Sequence, residues 1–484
     1  MDTPRTPDVR DLELVPGRLP DVPAALKRKR LGLRTVITFF GPGAIIASLT
    51  VGSGETVLAS RLGAVFGLAV LWVVVVGTVA KGAVVYASNR YIVLTGEHAM
   101  AGLARVIPGP RGWFPAVIGG LAVVSFPFVA SALAAGIGGY LEIITGGSSV
   151  LWGVGLLLLA AVISWFGWYS LLEKAQLTIV ALKVGLVFVA VFAAQPDWLA
   201  ALAGFVPQGI SYLPFVGQDY PEIAARPPVV ELVVFMGGLG GGMYDYVGYA
   251  GFLREKGWGM LAQPERHGDD PVTSAVQLAD TPEERARVKG WSRAPFGDVL
   301  VSFVAMAVIA VAFIITGDAI LGANRQVPEG NNVLTYQGQV LGIISPVLEY
   351  FYVVAIVMVF FGTMYAIWEV YTRTAYESFA PVSRRVKDAG ISTTRRWVYG
   401  YVLLGGLALV LSGANLIQLI TPANIVGGTI AIGVYGFGLL ALERRVLPKA
   451  LRIRPLGQVL VVLGSTVLLV SGLVAFARYL GVFG

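Results

Sequence analysis

Phe235-Met236-Gly237-Gly238-Leu239-Gly240-Gly241-Gly242-Met243-Tyr244-Asp245 places five glycines and a carboxylate inside an otherwise apolar run. Non-helical backbone is tolerated at membrane depth only where protein or a wet cavity satisfies the freed backbone groups. Glycines beside an intramembrane acid therefore mark a binding site built on a broken helix. Ile45-Ile46-Ala47-Ser48-Leu49-Thr50-Val51-Gly52-Ser53-Gly54-Glu55 has the same character. Glycines alone would signal only close helix packing. Glycine with an acid in both runs is the stronger statement.

The rest of the chain sets these two runs in a membrane. Of 484 residues, 56% are hydrophobic and 13% charged, and the mean hydropathy is +0.74. A soluble domain carries about 25% charged residues. With no cysteine there is no disulfide, thiolate ligand or cysteine nucleophile, and two histidines leave little room for a histidine site. No phosphate-cradling loop, catalytic triad or zinc motif appears, so an enzyme is not expected.

Apolar runs of about twenty residues give eleven spans. They fall near 36–60, 64–91, 113–144, 148–170, 174–194, 229–253, 296–322, 340–372, 395–414, 417–442 and 456–479. Residues 1–34 lack the apolar core of a signal peptide and end in the basic run Lys27-Arg28-Lys29-Arg30. With that tail in the cytosol, all but six of the 36 Lys and Arg fall in the tail or cytosolic loops. Arg61, Arg226, Arg325 and Arg478 lie on the other side, and Lys81 and Lys183 lie within spans. The positive-inside rule thus orients an integral plasma-membrane protein with its N-terminus cytosolic and its C-terminus extracellular. The same bias explains the net charge of +7 through contact with the lipid bilayer, leaving no case for nucleic acid. No obligate protein partner and no cofactor is implied.

Ten spans plus one suggest two inverted five-helix repeats with broken helices at spans 1 and 6. The expected organisation is a basic tail (1–34), a first repeat (35–194), an extracellular loop (195–228), a second repeat (229–442) containing cytosolic loop 254–295, and a final loop with an extra transmembrane helix (443–484).

Gly41-Pro42-Gly43, followed by Gly52-Ser53-Gly54-Glu55, resembles the first helix of the Nramp (natural resistance-associated macrophage protein) metal-ion transporters, where a Gly-Pro pair precedes an Asp-Pro-Gly-Asn break. Gly242-Met243-Tyr244-Asp245 stands where that family has Met-Pro-His. Thr95-Gly96, Phe361-Gly362-Thr363, Arg395-Arg396 and Asn424 are weaker echoes in the same register. The resemblance implies an all-α polytopic membrane protein with the leucine-transporter-like fold, in the amino-acid/polyamine/organocation superfamily. It also implies inward transport of a divalent metal ion by alternating access.

The departures lie at the site itself. The family's aspartate, proline and asparagine are Gly52, Ser53 and Glu55 here, and Met243 alone is unchanged. Asp245 supplies a new carboxylate. Glu55, Met243 and Asp245 are the expected metal ligands, helped by carbonyls around Thr50 to Gly52 and Gly240 to Gly242, with Asn424 beside them. Two hard oxygens and one sulfur suit Mn²⁺ or Fe²⁺, whereas Mg²⁺ would rest on oxygens and water. The family's third-helix acid has no counterpart, so any proton coupling falls to Glu55 and Asp245.

Lys183, in Thr178-Ile179-Val180-Ala181-Leu182-Lys183-Val184, is similar to the fifth-helix lysine of proton-coupled amino-acid permeases, and Lys81 lies mid-span. Buried ammonium groups need partners, and these two can neutralise Glu55 and Asp245. That opens a second reading, a proton-coupled permease for an amino acid or other small organic solute. The plainer readings remain beside these: Glu55 as a helix cap, Asp245 as a lysine's partner, Met243 as packing. Glu369 and Arg373, four apart, form an i to i+4 pair at the cytosolic gate. Glu231, Asp318 and Glu349 are expected to reach water, and His98 and His267 to be solvated.

Overall fold

The computed structural model describes residues 14–27, 53–110, 112–166, 182, 184–263 and 274–482. Thr50, Gly52, Lys183 and His267 lie outside these, and Glu55 is placed by its backbone alone.

Apolar residues lacking helical periodicity in polarity make helices that are buried on one side and lipid-facing on the other. Among the described residues seven helical runs are long and apolar enough to cross a membrane. A π turn at Ser53–Leu58 leads into α1 (Ala59–Phe66), and a 3₁₀ turn at Gly67–Val70 joins it to α2 (Leu71–Thr95), which ends on left-handed Gly96. A short helix, α3 (Ala99–Val106), precedes α4 (Trp113–Thr145) and α5 (Ser149–Phe166). A ten-residue apolar helix, Val184–Ala193, follows.

The sixth span is two helices, α6 (Pro228–Gly238) and α7 (Met243–Lys256). Then come α8 (Pro282–Trp291), α9 (Arg293–Thr316) with a π turn at Gly317–Gly322, α10 (Val333–Gly342), and the long α11 (Pro346–Phe379). The chain ends with α12 (Arg384–Leu411), α13 (Leu416–Ile425), a π turn at Val426–Ile430, α14 (Ala431–Val446) and α15 (Pro455–Tyr479).

Three expected boundaries move for local reasons. The first span runs on to Phe66, because Ser60 and Arg61 are buried within it instead of ending it. The eighth span begins at Pro346, since proline at the first helical position cannot continue α10. The ninth begins eleven residues early, bent at Gly390 with φ 71°.

The polar segments on the tail-bearing side form a small cap. Val15–Gly17 (β1) pairs in parallel with Val276–Leu278 (β2). Leu19 N–H donates to Glu284, and Trp291 donates to Pro20 O at 2.9 Å. Tail and loop 254–295 therefore share one side of the bundle.

Candidate functional site

The break in the sixth span follows from its glycines. After α6 the chain extends at Leu239 (ψ 116°), passes through left-handed Gly240 (φ 73°) and Gly241 (φ 83°), and extends again at Gly242. Two consecutive positive φ values strongly favour glycine, which has no Cβ to clash. α7 then starts with Asp245 at its third position, whose carboxylate accepts the Gly242 N–H at 3.0 Å. An acid there also faces the positive end of the helix dipole.

Unwinding frees carbonyls, and every one from Gly237 to Gly241 has a partner. Lys81, fully buried in α2, donates to Gly237 O (2.7 Å), Leu239 O (2.8 Å) and Gly241 O (2.7 Å). Tyr246 hydroxyl donates to Gly240 O at 2.6 Å, and Gly241 N–H donates to Gly238 O at 3.2 Å. An ammonium has three donors, which matches three convergent acceptors. The carbonyls of Gly240 and Gly241, expected to face a metal ion, are thus turned to Tyr246 and Lys81. Asp245, offered from the sequence as a lysine's partner, caps its own half-helix.

The sixth-span break meets the π turn that opens the described part of the first span. A Cβ on Gly54 would lie 2.4 Å from Gly238 O, so the π turn carrying Glu55 is in backbone contact with the end of α6. Gly54→Ala is expected to abolish folded protein in detergent size-exclusion chromatography. Gly120→Ala, in α4 with open space around it, should leave the elution peak unchanged.

Asn424 of α13 bridges the halves of the sixth span: its side-chain nitrogen donates to Val234 O at 3.0 Å and its oxygen accepts from Tyr244 hydroxyl at 3.2 Å. Met243 is fully buried and Asp245 nearly so. Lys81, Gly240, Met243, Asp245 and Asn424 therefore all lie at the sixth-span break, and the turn that carries Glu55 touches its α6 end.

The sequence reading missed Tyr371 and Thr374 of α11. Thr374 hydroxyl donates to Tyr244 O at 2.6 Å and accepts from Gly248 N–H at 3.0 Å, tying α11 to α7. Tyr371 stacks on Phe126 at 4.1 Å and meets Tyr244 edge-on at 6.2 Å. Its hydroxyl is buried with no hydrogen-bond partner among the described residues. A buried hydroxyl left without a protein partner is a place for a water or a bound solute. The sequence signal is faint: two polar residues three apart on one helical face.

Buried ion pairs flank the site. Towards the side away from the tail, Arg61 of α1 forks onto Glu231 of α6 (2.8 and 3.0 Å), meets Glu329 at 2.5 Å and donates to Pro328 O at 2.7 Å. Glu231, expected to reach water, is buried, because the guanidinium neutralises it where both leave solvent. On the tail side, Arg254 forks onto Glu377 (2.6 and 3.1 Å), and Glu97 binds Arg105 and the Tyr91 hydroxyl.

His98 joins this tail-side cluster instead of being solvated. Its Nδ1 accepts the Met100 N–H, so the ring's proton sits on Nε2, which faces Val247 O at 3.2 Å and Glu377 at 3.4 Å. Burial pushes the ring's pKa below the usual histidine value, against the opposing pull of Glu377. Glu369 accepts from Arg373 at 3.1 Å and from Arg395 of α12 at 2.5 Å. That pair lies on the face of α11 turned to α12, not at the break. Among the described residues, no three of His, Cys, Asp and Glu form a metal-holding group.

No family model and no curated protein matches the chain. Solved structures do. One mutant of the Eremococcus coleocola manganese transporter is similar with a TM-score of 0.65 and 13% identity, over 98% of this chain and 92% of that one. A second mutant gives 0.64 and 14%, over 94% and 90%. The chain has the leucine-transporter-like fold. Mhp1, a nucleobase-cation-symport-1 family transporter, is similar with a TM-score of 0.51 and 15% identity, over 92% of this chain and 93% of that one. The likeness to the manganese transporter agrees with the Nramp resemblance carried by Gly41-Pro42-Gly43 and Met243, and the chain is an integral membrane protein.

Proposed function

We propose that this protein is a secondary-active transporter working by alternating access, with divalent metal ions of the Mn, Fe and Mg class as cargo. The observation that carries this is the break of the sixth span, which puts Met243 and Asp245 in the first turn of α7 while the turn bearing Glu55 touches the end of α6. Those three side chains are the proposed ligands, and the Tyr371 hydroxyl would hold a water of the ion's shell. Residues 35–194 and 229–442 are the proposed repeats, with the tail in the cytosol. The tail-side cluster of Arg254, Glu377 and His98, with Glu369 and Arg373 nearby, would form the cytosolic gate, and Arg61 with Glu231 and Glu329 the opposite one.

One observation favours a second reading, a proton-coupled permease for an amino acid or other small organic solute. The Lys81 ammonium already fills the three-carbonyl cage at the break. A fixed cation there repels a second cation and attracts the carboxylate of a solute.

Uptake into proteoliposomes separates the two. Metal transport predicts saturable Mn²⁺ entry that falls at least tenfold in Asp245→Asn and in Glu55→Gln. Tyr371→Phe is expected to keep the thermal midpoint within about 2 °C, since it removes an unpartnered hydroxyl, while lowering uptake severalfold. Well-folded protein that moves no metal, with or without an inward proton gradient, would overturn the metal reading and leave the solute reading to a binding screen.

A further inference from the structure

A groove of about 660 Å³ opens between α2, α9 and α15, apart from the helix break. Its two ends differ in chemistry. The mouth, on the tail-bearing side, is lined by Arg90, Lys289, Arg293, Arg452 and Arg454, and among the described residues no carboxylate lines it. Arg90 is occupied by Glu443 at 2.5 Å and Leu451 O, and Arg452 is fixed on Leu447 O and Arg444 O. Lys289 and Arg454 are exposed and, among the described residues, no carboxylate pairs with them.

The walls are apolar and face outward along two membrane-spanning helices. Phe296, Leu300 and Val304 of α9 are each about half exposed, and Leu456 of α15 is 72% exposed. At 1.5 Å per residue, Phe296 to Val304 makes a wall about 12 Å deep. Cations at a helix end above such a slot match a phosphate joined to an acyl chain, and match neither a free ion nor an apolar solute in full.

We infer that this groove binds one anionic phospholipid, with its phosphate between Lys289 and Arg454 and an acyl chain along Phe296, Leu300 and Val304. The orientation proposed above makes its leaflet the cytosolic one; the binding itself requires no transport step. The groove also shares a wall with the transport site. Phe303 lines it, and a Cβ on Gly240 would lie 2.9 Å from the Phe303 ring. A lipid seated there braces the ring that packs on the helix break.

The test uses the full chain, purified in neutral detergent and titrated with phosphatidylglycerol, phosphatidylcholine or soluble glycerol 3-phosphate, with the thermal midpoint as readout. Phosphatidylglycerol is expected to raise the midpoint by several degrees and the other two to leave it unchanged. Lys289→Gln with Arg454→Gln should cut that shift at least fivefold, and Arg384→Gln with Arg385→Gln, exposed at the start of α12, should not. An equal shift with phosphatidylcholine, or with glycerol 3-phosphate alone, overturns the inference, as does a shift that survives in the Lys289 and Arg454 variant. Should that variant fail to fold, photoactivatable phosphatidylglycerol on the native chain decides. Labelling within 293–304 or 455–460 supports the site, and labelling confined elsewhere refutes it. Failure of metal uptake would leave each of these outcomes unchanged.

Discussion

Lys81→Met is expected to unfold the helix break and abolish transport. The ammonium is the partner of three buried carbonyls, and each carbonyl left unsatisfied costs about 1–3 kcal/mol. Together these amount to about 3–9 kcal/mol, a large share of the stability of an ordinary domain. Lys81→Arg is expected to rescue poorly, because a planar guanidinium cannot aim at three acceptors converging on one point as a tetrahedral ammonium does. Thermal unfolding in detergent measures the loss. Carbonyl rings of this kind replace the hydration shell of small cations, so Na⁺ is expected to restore part of the midpoint of Lys81→Met relative to choline. A variant with native stability and no response to Na⁺ would show that the cage does not hold the break together.

Arg61→Leu is the second large effect. The guanidinium is fully buried between Glu231, Glu329 and Pro328 O, and removing it leaves the buried Glu231 carboxylate only the longer contact to Arg226 at 3.7 Å. Breaking a buried pair from one side costs about 3–5 kcal/mol. Replacing both members by apolar residues removes that penalty, so Arg61→Leu with Glu231→Leu is expected to recover most of the lost stability. The pair joins α1 to α6, and the π turn leading into α1 meets the end of α6 at Gly54 and Gly238. The double variant is therefore also expected to change the transport rate while staying folded. A double-mutant cycle in thermal stability, read beside uptake, separates the structural role from the gating role. Equal losses in the single and double variants would argue against an ion pair that matters.

The residues that the sequence marks and the structure brings together share one property: their signal is local. Gly237 to Gly242 break the helix because consecutive glycines carry no barrier to positive φ, and Asp245 follows at the capping position of the next helix. Both facts are legible within ten residues. Tyr371 was not legible, since what marks it is a hydroxyl with no hydrogen-bond partner among the described residues, and partners come from other helices. Glu231 and His98 were misplaced for a related reason. A charged residue near a span end reads as solvated until a counter-charge from elsewhere, Arg61 or the Arg254 and Glu377 pair, is folded onto it.

Composition and hydropathy by themselves determined a polytopic helical membrane protein, because a bilayer admits only backbone that satisfies its own hydrogen bonds and the lengths of apolar runs follow from its thickness. The glycine and acid pattern determined where the sixth helix breaks. Only the tertiary structure decided which cation serves the freed carbonyls. Lys81 lies 156 residues from the first carbonyl it binds, and a side chain's partner across that separation is set by how α2 packs on the break, which no local pattern encodes.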